Sequence, residues 1–99
     1  MSRQHNPPHP GEFLRKVYLD PFKETLSRSE VARHLSVSRS NFNRLVNEEV
    51  DVTSEMALRL SKVLGGTAES WMRMQINYDL WQARKKVKVN GLRPLQLSA

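Results

Sequence analysis

Four polar side chains lie close together near the middle of this 99-residue chain, and their chemistry suits the edges of nucleic-acid bases. Arginine offers a fork of N–H donors that matches guanine, and asparagine offers the donor and acceptor pair that matches adenine. On a helix with about 100° per residue they share an outer arc without any acid, with Arg39 at its leading end. We expect base contacts in a DNA major groove from Arg39, Ser40, Asn43 and Arg44.

The helix that carries this arc is predicted to run from Arg39 to Asn47, with Ser38 as its N-cap. Its opposite arc holds Phe42, Leu45 and Val46, which form a core-facing stripe. The preceding helix begins at a capping box formed by Ser27 and Glu30 and buries Val31, Ala32 and Leu35. Only about three residues, beginning with Ser36-Val37, separate the two helices, which is the arrangement of a helix-turn-helix DNA reader.

Phosphate contacts need donors without sequence preference, and the first turn of a helix supplies free backbone N–H groups there. We expect phosphate contacts from Ser27, Arg28, Ser38 and Asn47. The competing interpretation is that this polar face is only solvated, as most such faces are. The basic charge and the absence of acids on the face favour DNA binding.

The remaining segments predict three more helices and therefore an all-α chain. The first runs from Pro10 to Leu19, ends at Asp20-Pro21, and buries one stripe formed by Phe13, Leu14, Val17 and Tyr18. Another is capped by Thr53 and ends at Leu64 before Gly65-Gly66. The last begins at Thr67 and continues at least to Arg84.

The last helix carries two apolar stripes on opposite sides, about 175° apart. One stripe consists of Trp71, Met74, Tyr78 and Trp81, and the other of Met72, Ile76, Leu80 and Ala83. A single small domain does not easily cover both, so we expect one stripe to pack on the domain's own core and the other on a second copy. The alternative is that a loop or the tail covers the second stripe, and the pattern leaves open which stripe faces the partner.

Composition limits the class of partner. Sixteen Lys and Arg against ten Asp and Glu give a formal charge of +6, which favours a polyanion, and no segment pairs a Lys-rich face with the wide apolar face of a membrane binder. The absence of cysteine excludes disulfides and thiolate sites. Without an apolar run of about 18 residues or a secretion signal, we expect a cytoplasmic protein.

We divide the chain into a flexible arm (1–8), one helix-turn-helix domain that ends in a dimerisation helix (9–85), and a basic tail (86–99). The tail is solvated by default, and DNA backbone or a partner protein is the alternative. His5 and His9 stand four apart, but prolines flank them and no third ligand is evident, so we expect exposed or capping roles and no metal. We also expect no cofactor and no catalytic residue, since no nucleophile, base and orienting group converge.

Three sequence blocks carry a resemblance that covers residues 9 to about 83. They are HPGEFL at 9–14, TSEMALRL at 53–60 and WMRMQINYDL at 71–80. The segment from Leu26 to Leu45 resembles the helix-turn-helix of the Cro and C1 repressor (XRE) class, and the wider frame resembles its HigA-type, VapI-like antitoxin branch. The resemblance implies a five-helix lambda-repressor-like domain that forms a homodimer on a palindromic operator. It further implies repression of its own operon and neutralisation of an mRNA-cleaving toxin.

Two positions depart from that pattern. Ser36 stands where the family has glycine, and Asn47-Glu48-Glu49 stands where Asn-Gly-Lys or Asn-Gly-Arg is usual. The two carboxylates either weaken phosphate contact there or belong to a loop that faces away. Two alternative functions stay open at this point: a solitary transcriptional regulator, and a protein-interaction module that no longer binds DNA.

Overall fold

The protein is described by a computed structural model over residues 6–97; residues 1–5 and 98–99, which include His5, the start of the arm and the end of the tail, lie outside it. Five helical segments follow one another, and no strand occurs within the described range, so Val87-Lys88-Val89 is not a strand. The segments are α1 (Pro10–Phe13, continued by a π-helix over Leu14–Leu19 and a 3-10 turn over Asp20–Phe22), α2 (Arg28–Leu35), α3 (Arg39–Val46), α4 (Ser54–Val63) and α5 (Ala68–Lys86). The all-α, five-helix prediction is confirmed.

The π-helix changes which side chains of the first helix are buried. Hydrogen bonds five residues apart widen the turn, and the Asp20 N–H accordingly donates to the Arg15 carbonyl. Leu14 and Leu19, also five apart, therefore lie on one face and are both buried. The prediction that Val17 belongs to the buried stripe was wrong, because Val17 is 42% exposed.

Side-chain caps fix the starts of the other helices. The Ser27 hydroxyl accepts from Glu30 N at 3.1 Å, and Glu30 Oε1 accepts from Ser27 N at 3.1 Å, which completes the predicted capping box. Thr53 accepts from Met56 N at 3.1 Å at the start of α4. Thr67 and Ser70 form a second capping box at the start of α5.

The start of α1 packs directly against the end of α3. A Cβ built on Gly11 would collide with the Leu45 carbonyl oxygen, so only glycine permits this approach. Phe42, Leu45 and Val46 of α3 are buried, as predicted. Together with side chains from the other helices they form one core, whose buried members are Leu14, Leu19, Val31, Ala32, Leu35, Phe42, Leu45, Val46, Val52, Ala57, Leu60 and Trp71.

The two stripes of α5 differ in burial. Trp71 is buried against Phe13, with ring centroids 5.7 Å apart, and Met74, Tyr78 and Trp81 are partly buried. On the other stripe Ile76 is 50% exposed and Leu80 is 44% exposed, while Met72 is partly buried at the edge of the core. The tryptophan stripe is therefore the one that packs on the domain's own core. Within residues 6–97, no helix is both long enough and apolar enough to cross a membrane.

Candidate nucleic-acid interface

A side chain of α4 hydrogen-bonds to the turn between α2 and α3. Ser36 has a φ of 60°, in the left-handed region that favours glycine, and Val37 N donates back to Ala32 O at 3.0 Å. Arg59 Nη1 donates to Leu35 O at 2.9 Å and so satisfies a carbonyl at the end of α2. Arg59 Nη2 is in turn 2.7 Å from Glu55 Oε2. Our sequence reading missed Arg59, whose only local signal is the four-residue spacing from Glu55.

The outer face of α3 is accessible where the base contacts are predicted. Arg39, Ser40 and Arg44 are exposed, and Asn43 is half-buried at the side that faces α2. The buried side of the same helix fills the core and so holds its backbone in place, while Arg39, Ser40 and Arg44 are exposed on the outer side. The structure thus places the four residues together on one surface.

Asn43 does not stand alone on this surface. Arg28 Nη1 lies 3.4 Å from Asn43 Oδ1, a long hydrogen bond between the first residue of α2 and the middle of α3. The guanidinium that was predicted to contact phosphate therefore also orients the amide that was predicted to contact a base. No described hydrogen bond uses the amide nitrogen of Asn43, which is the donor that a base contact would need.

The two predicted phosphate-binding serines already serve as N-caps. Ser38 Oγ accepts from Asn41 N at 3.0 Å, and this leaves its O–H proton for an acceptor outside the helix. Ser27 is more constrained, because its hydroxyl lies 3.4 Å from Glu30 Oε1 and a phosphate would have to compete with that carboxylate. Both helices present their N-terminal backbone N–H groups beside the α3 surface.

The segment at the end of α3 contacts the first helix through Arg15. Asn47 is exposed at the C-cap, and Glu48 takes the left-handed conformation with a φ of 65°. Arg15 Nη1 donates to Val46 O at 2.6 Å, and Arg15 Nη2 pairs with Glu48 Oε2 at 3.3 Å. The charge of Glu48 is thereby balanced by Arg15, whereas Glu49 carries no described ion pair.

Gln75 of α5 is only 3% exposed and hydrogen-bonds to the loop that leads from α3 to α4. Gln75 Oε1 accepts from Val52 N at 2.7 Å. Gln75 Nε2 donates to Asp51 Oδ1 at 3.2 Å and to Asp79 Oδ1 at 2.9 Å, so both N–H donors of the amide are used. Sequence reasoning missed this residue; the available signal was a polar residue four positions after the buried Trp71.

His9 is buried and caps α1, so the capping role, one of the two alternatives expected for it, is confirmed. Its side chain is 2% exposed, its Nδ1 accepts from Gly11 N at 2.9 Å, and its ring meets Tyr78 edge-on at 4.9 Å. Within residues 6–97, no three His, Cys, Asp or Glu side chains cluster as a metal site would require. Nearby, Lys16 donates to Glu12 Oε2 at 2.7 Å, and this hydrogen bond lowers the pKa of Glu12.

The chain is similar to several known proteins, including these three. Virulence-associated protein I of Dichelobacter nodosus is 44% identical over 92 residues, covering 92% of this chain and 83% of the relative. Antitoxin HigA-1 of Vibrio cholerae is 30% identical over 90 residues, covering 89% and 83%. A Pseudomonas aeruginosa protein solved with 18-bp operator DNA superposes with a TM-score of 0.82 at 33% identity, covering 93% of this chain and 100% of that one.

No family model matches the sequence. The pairwise similarities nevertheless extend through all five helices and not only through α2 and α3, since each covers at least 89% of this chain. The names of these relatives describe a virulence-associated protein, an antitoxin and an operator-bound protein, and none describes an enzyme. The chain belongs to the helix-turn-helix family that includes the HigA antitoxins and virulence-associated protein I.

Proposed function

We propose that this protein is a sequence-specific DNA-binding antitoxin that represses its own operon and neutralises an mRNA-cleaving toxin. The observation that carries the proposal is the acid-free outer face of α3, on which Arg39, Ser40 and Arg44 are exposed. A relative with the same five-helix frame was solved with operator DNA. We propose a cytoplasmic location, which suits a DNA target, and the proposal needs neither a cofactor nor a catalytic residue.

Base recognition falls to the four residues of α3. Arg39 and Arg44 supply the forked donors that suit guanine. Asn43 supplies an amide that Arg28 orients, and Ser40 supplies a hydroxyl that both donates to and accepts from base edges. Phosphate contacts fall to Ser27, Arg28, Ser38 and Asn47, which surround this face at the ends of α2 and α3. Ser38 is better placed than Ser27 for this role, because the Ser27 hydroxyl is engaged by Glu30.

The second stripe of α5 supplies the dimer face of the 9–85 domain. Ile76 and Leu80 are about half exposed, and Ile76 also lines a groove of about 590 Å³ between α4 and α5. The groove is lined mainly by apolar side chains, among them Leu58 and Met72. When a second copy covers this surface, the dimer carries two α3 helices. A palindromic site with half-sites one helical turn apart requires two such helices at a fixed spacing.

The toxin is the second partner, and its pairing is proposed from the family to which Antitoxin HigA-1 belongs. The test is co-purification of the chain from its native host, followed by an electrophoretic shift with the DNA upstream of its reading frame. We expect a co-eluting ribonuclease and a shift that an excess of unrelated duplex does not abolish. A shift without a co-eluting protein indicates a solitary regulator. A co-eluting protein without a shift indicates an interaction module that has lost DNA binding.

A further inference from the structure

The positive charge of the chain is concentrated after Asp79. Up to that residue, eleven Lys and Arg stand against ten Asp and Glu, which leaves a formal charge of only +1. The last 20 residues carry the other +5 and contain no acid. The helix-turn-helix region is therefore close to neutral as a whole, so the long-range attraction of the protein for a polyanion arises mainly from its C-terminal segment.

This segment projects away from the core. The last helical hydrogen bond runs from Val87 N to Ala83 O, and beyond it only a turn from Leu92 N to Val89 O is formed among the described residues. The radius of gyration is 17.2 Å and the long dimension 60 Å, whereas a compact chain of this length has a radius of roughly 13 Å. Residues 87–97 are exposed throughout and span up to about 36 Å when extended, close to one turn of duplex DNA.

The cations of the segment differ in their surroundings. Lys85 lies over the Trp81 ring, with Nζ 3.9 Å from the ring centroid, and this contact holds it to α5. Arg84, Lys86, Lys88 and Arg93 are exposed, and no salt bridge engages them among the described residues. Four cations are thus available to an external anion: Arg84 and Lys86 on the last turn of α5, and Lys88 and Arg93 beyond the end of the helix.

We propose that residues 84–97 form an arm that binds the DNA backbone beside the half-site contacted by α3. Each phosphate that the arm neutralises releases counterions, and so strengthens binding to any sequence. The segment carries five cations and no acid, so charge complementarity favours a polyanion as its partner. The inference rests on the proposed function, because it names a second contact with the same DNA.

The test compares salt dependence in two matched variants. Lys88→Gln/Arg93→Gln removes two cations of the arm without touching a helix, and Lys23→Gln/Lys62→Gln removes two exposed cations of the folded domain. Fluorescence anisotropy measures binding to the upstream duplex and to a scrambled duplex of equal length, between about 0.05 and 0.3 M salt. The slope of log K against log salt is expected to become shallower by about 1.8 in the arm variant only, since each lost phosphate contact changes it by about 0.9.

Affinity for both duplexes is expected to fall by the same factor, so that the specificity ratio is unchanged. The inference would be overturned if the slope of log K against log salt were the same in the arm variant and in the lysine control. It would also be overturned if the arm variant kept the salt slope of the unmodified chain but no longer co-purified with the toxin. A third outcome separates the two proposals. If the unmodified chain binds both duplexes equally and its salt slope still depends on Lys88 and Arg93, the inference about the arm is supported and the proposed sequence-specific function is contradicted.

Discussion

Arg28 Nη1 lies 3.4 Å from Asn43 Oδ1 and joins the first residue of α2 to the middle of α3. Two side chains that the sequence assigned to separate tasks are therefore in contact on the candidate DNA-binding surface. The arginine restricts the rotation of the amide, and its remaining N–H groups stay available for a phosphate.

This pair predicts non-additive losses. Asn43→Ala should cost about 1–3 kcal/mol against the preferred base pair, and Arg28→Ala should weaken binding to every sequence and also relax the preference at that base pair. The double variant should lose less than the sum of the two, because Arg28→Ala already frees the amide. Anisotropy on the upstream duplex and on single-base variants measures the cycle. Strict additivity would show that the 3.4 Å contact does not position Asn43.

The two exposed arginines of α3 should carry specificity rather than general affinity. Arg39→Ala and Arg44→Ala are each expected to reduce binding to the upstream duplex by about 1–3 kcal/mol, with little change on a scrambled duplex. Lys23→Ala, which removes an exposed cation outside both the α3 face and the α5 groove, is the control and should change neither. An equal loss on both duplexes would reassign Arg39 or Arg44 to phosphate binding.

The exposed stripe of α5 should control assembly. Ile76→Glu/Leu80→Glu is expected to give a folded monomer, because both side chains are already about half exposed and their replacement leaves the core intact. Loss of the second reading head should lower operator affinity by roughly a hundredfold or more. Light scattering coupled to size exclusion measures the mass, and Val17→Glu, which is 42% exposed on α1, is the control. A dimer that survives in the double variant would assign the interface elsewhere.

Gln75 should stabilise the loop that follows α3. Gln75→Leu leaves the buried Val52 N–H without its acceptor, so we expect the free energy of unfolding to fall by about 1–3 kcal/mol. Gln75→Glu keeps an acceptor but places a third carboxylate beside Asp51 and Asp79. Its penalty should therefore be larger at neutral pH and shrink as the pH is lowered and the carboxylates become protonated. Urea denaturation at several pH values distinguishes the two variants, and a pH-independent loss in Gln75→Glu would contradict the charge argument.

Gly11 should tolerate no side chain. In Gly11→Ala the new methyl group collides with the Leu45 carbonyl, and the required separation of α1 from α3 should destabilise the fold by about 1–3 kcal/mol. Gly91→Ala places its methyl group in open space and should change stability by less than about 0.5 kcal/mol. Thermal unfolding measures both, and equal Tm values for the two variants would contradict the close approach.

The sequence by itself determined the features that depend on neighbouring residues. The Ser27 and Glu30 capping box, the Ser38 cap and the Thr53 cap each join residues three apart. The three-residue turn and the burial of Phe42, Leu45 and Val46 follow from helical periodicity in the same way. Because a cap or a stripe is decided within a turn or two of helix, the helix-turn-helix was predictable before any tertiary contact was known.

The tertiary structure alone decided which apolar face of α5 is covered, and that His9 is buried while Val17 is exposed. It also decided the contacts of Arg15 with Glu48, Arg59 with Leu35 and Gln75 with Val52, which join residues 33, 24 and 23 positions apart. The reason is physical. A long polar side chain has many acceptors of similar chemistry along the chain, and only the packing of helices determines which of them comes within hydrogen-bonding distance.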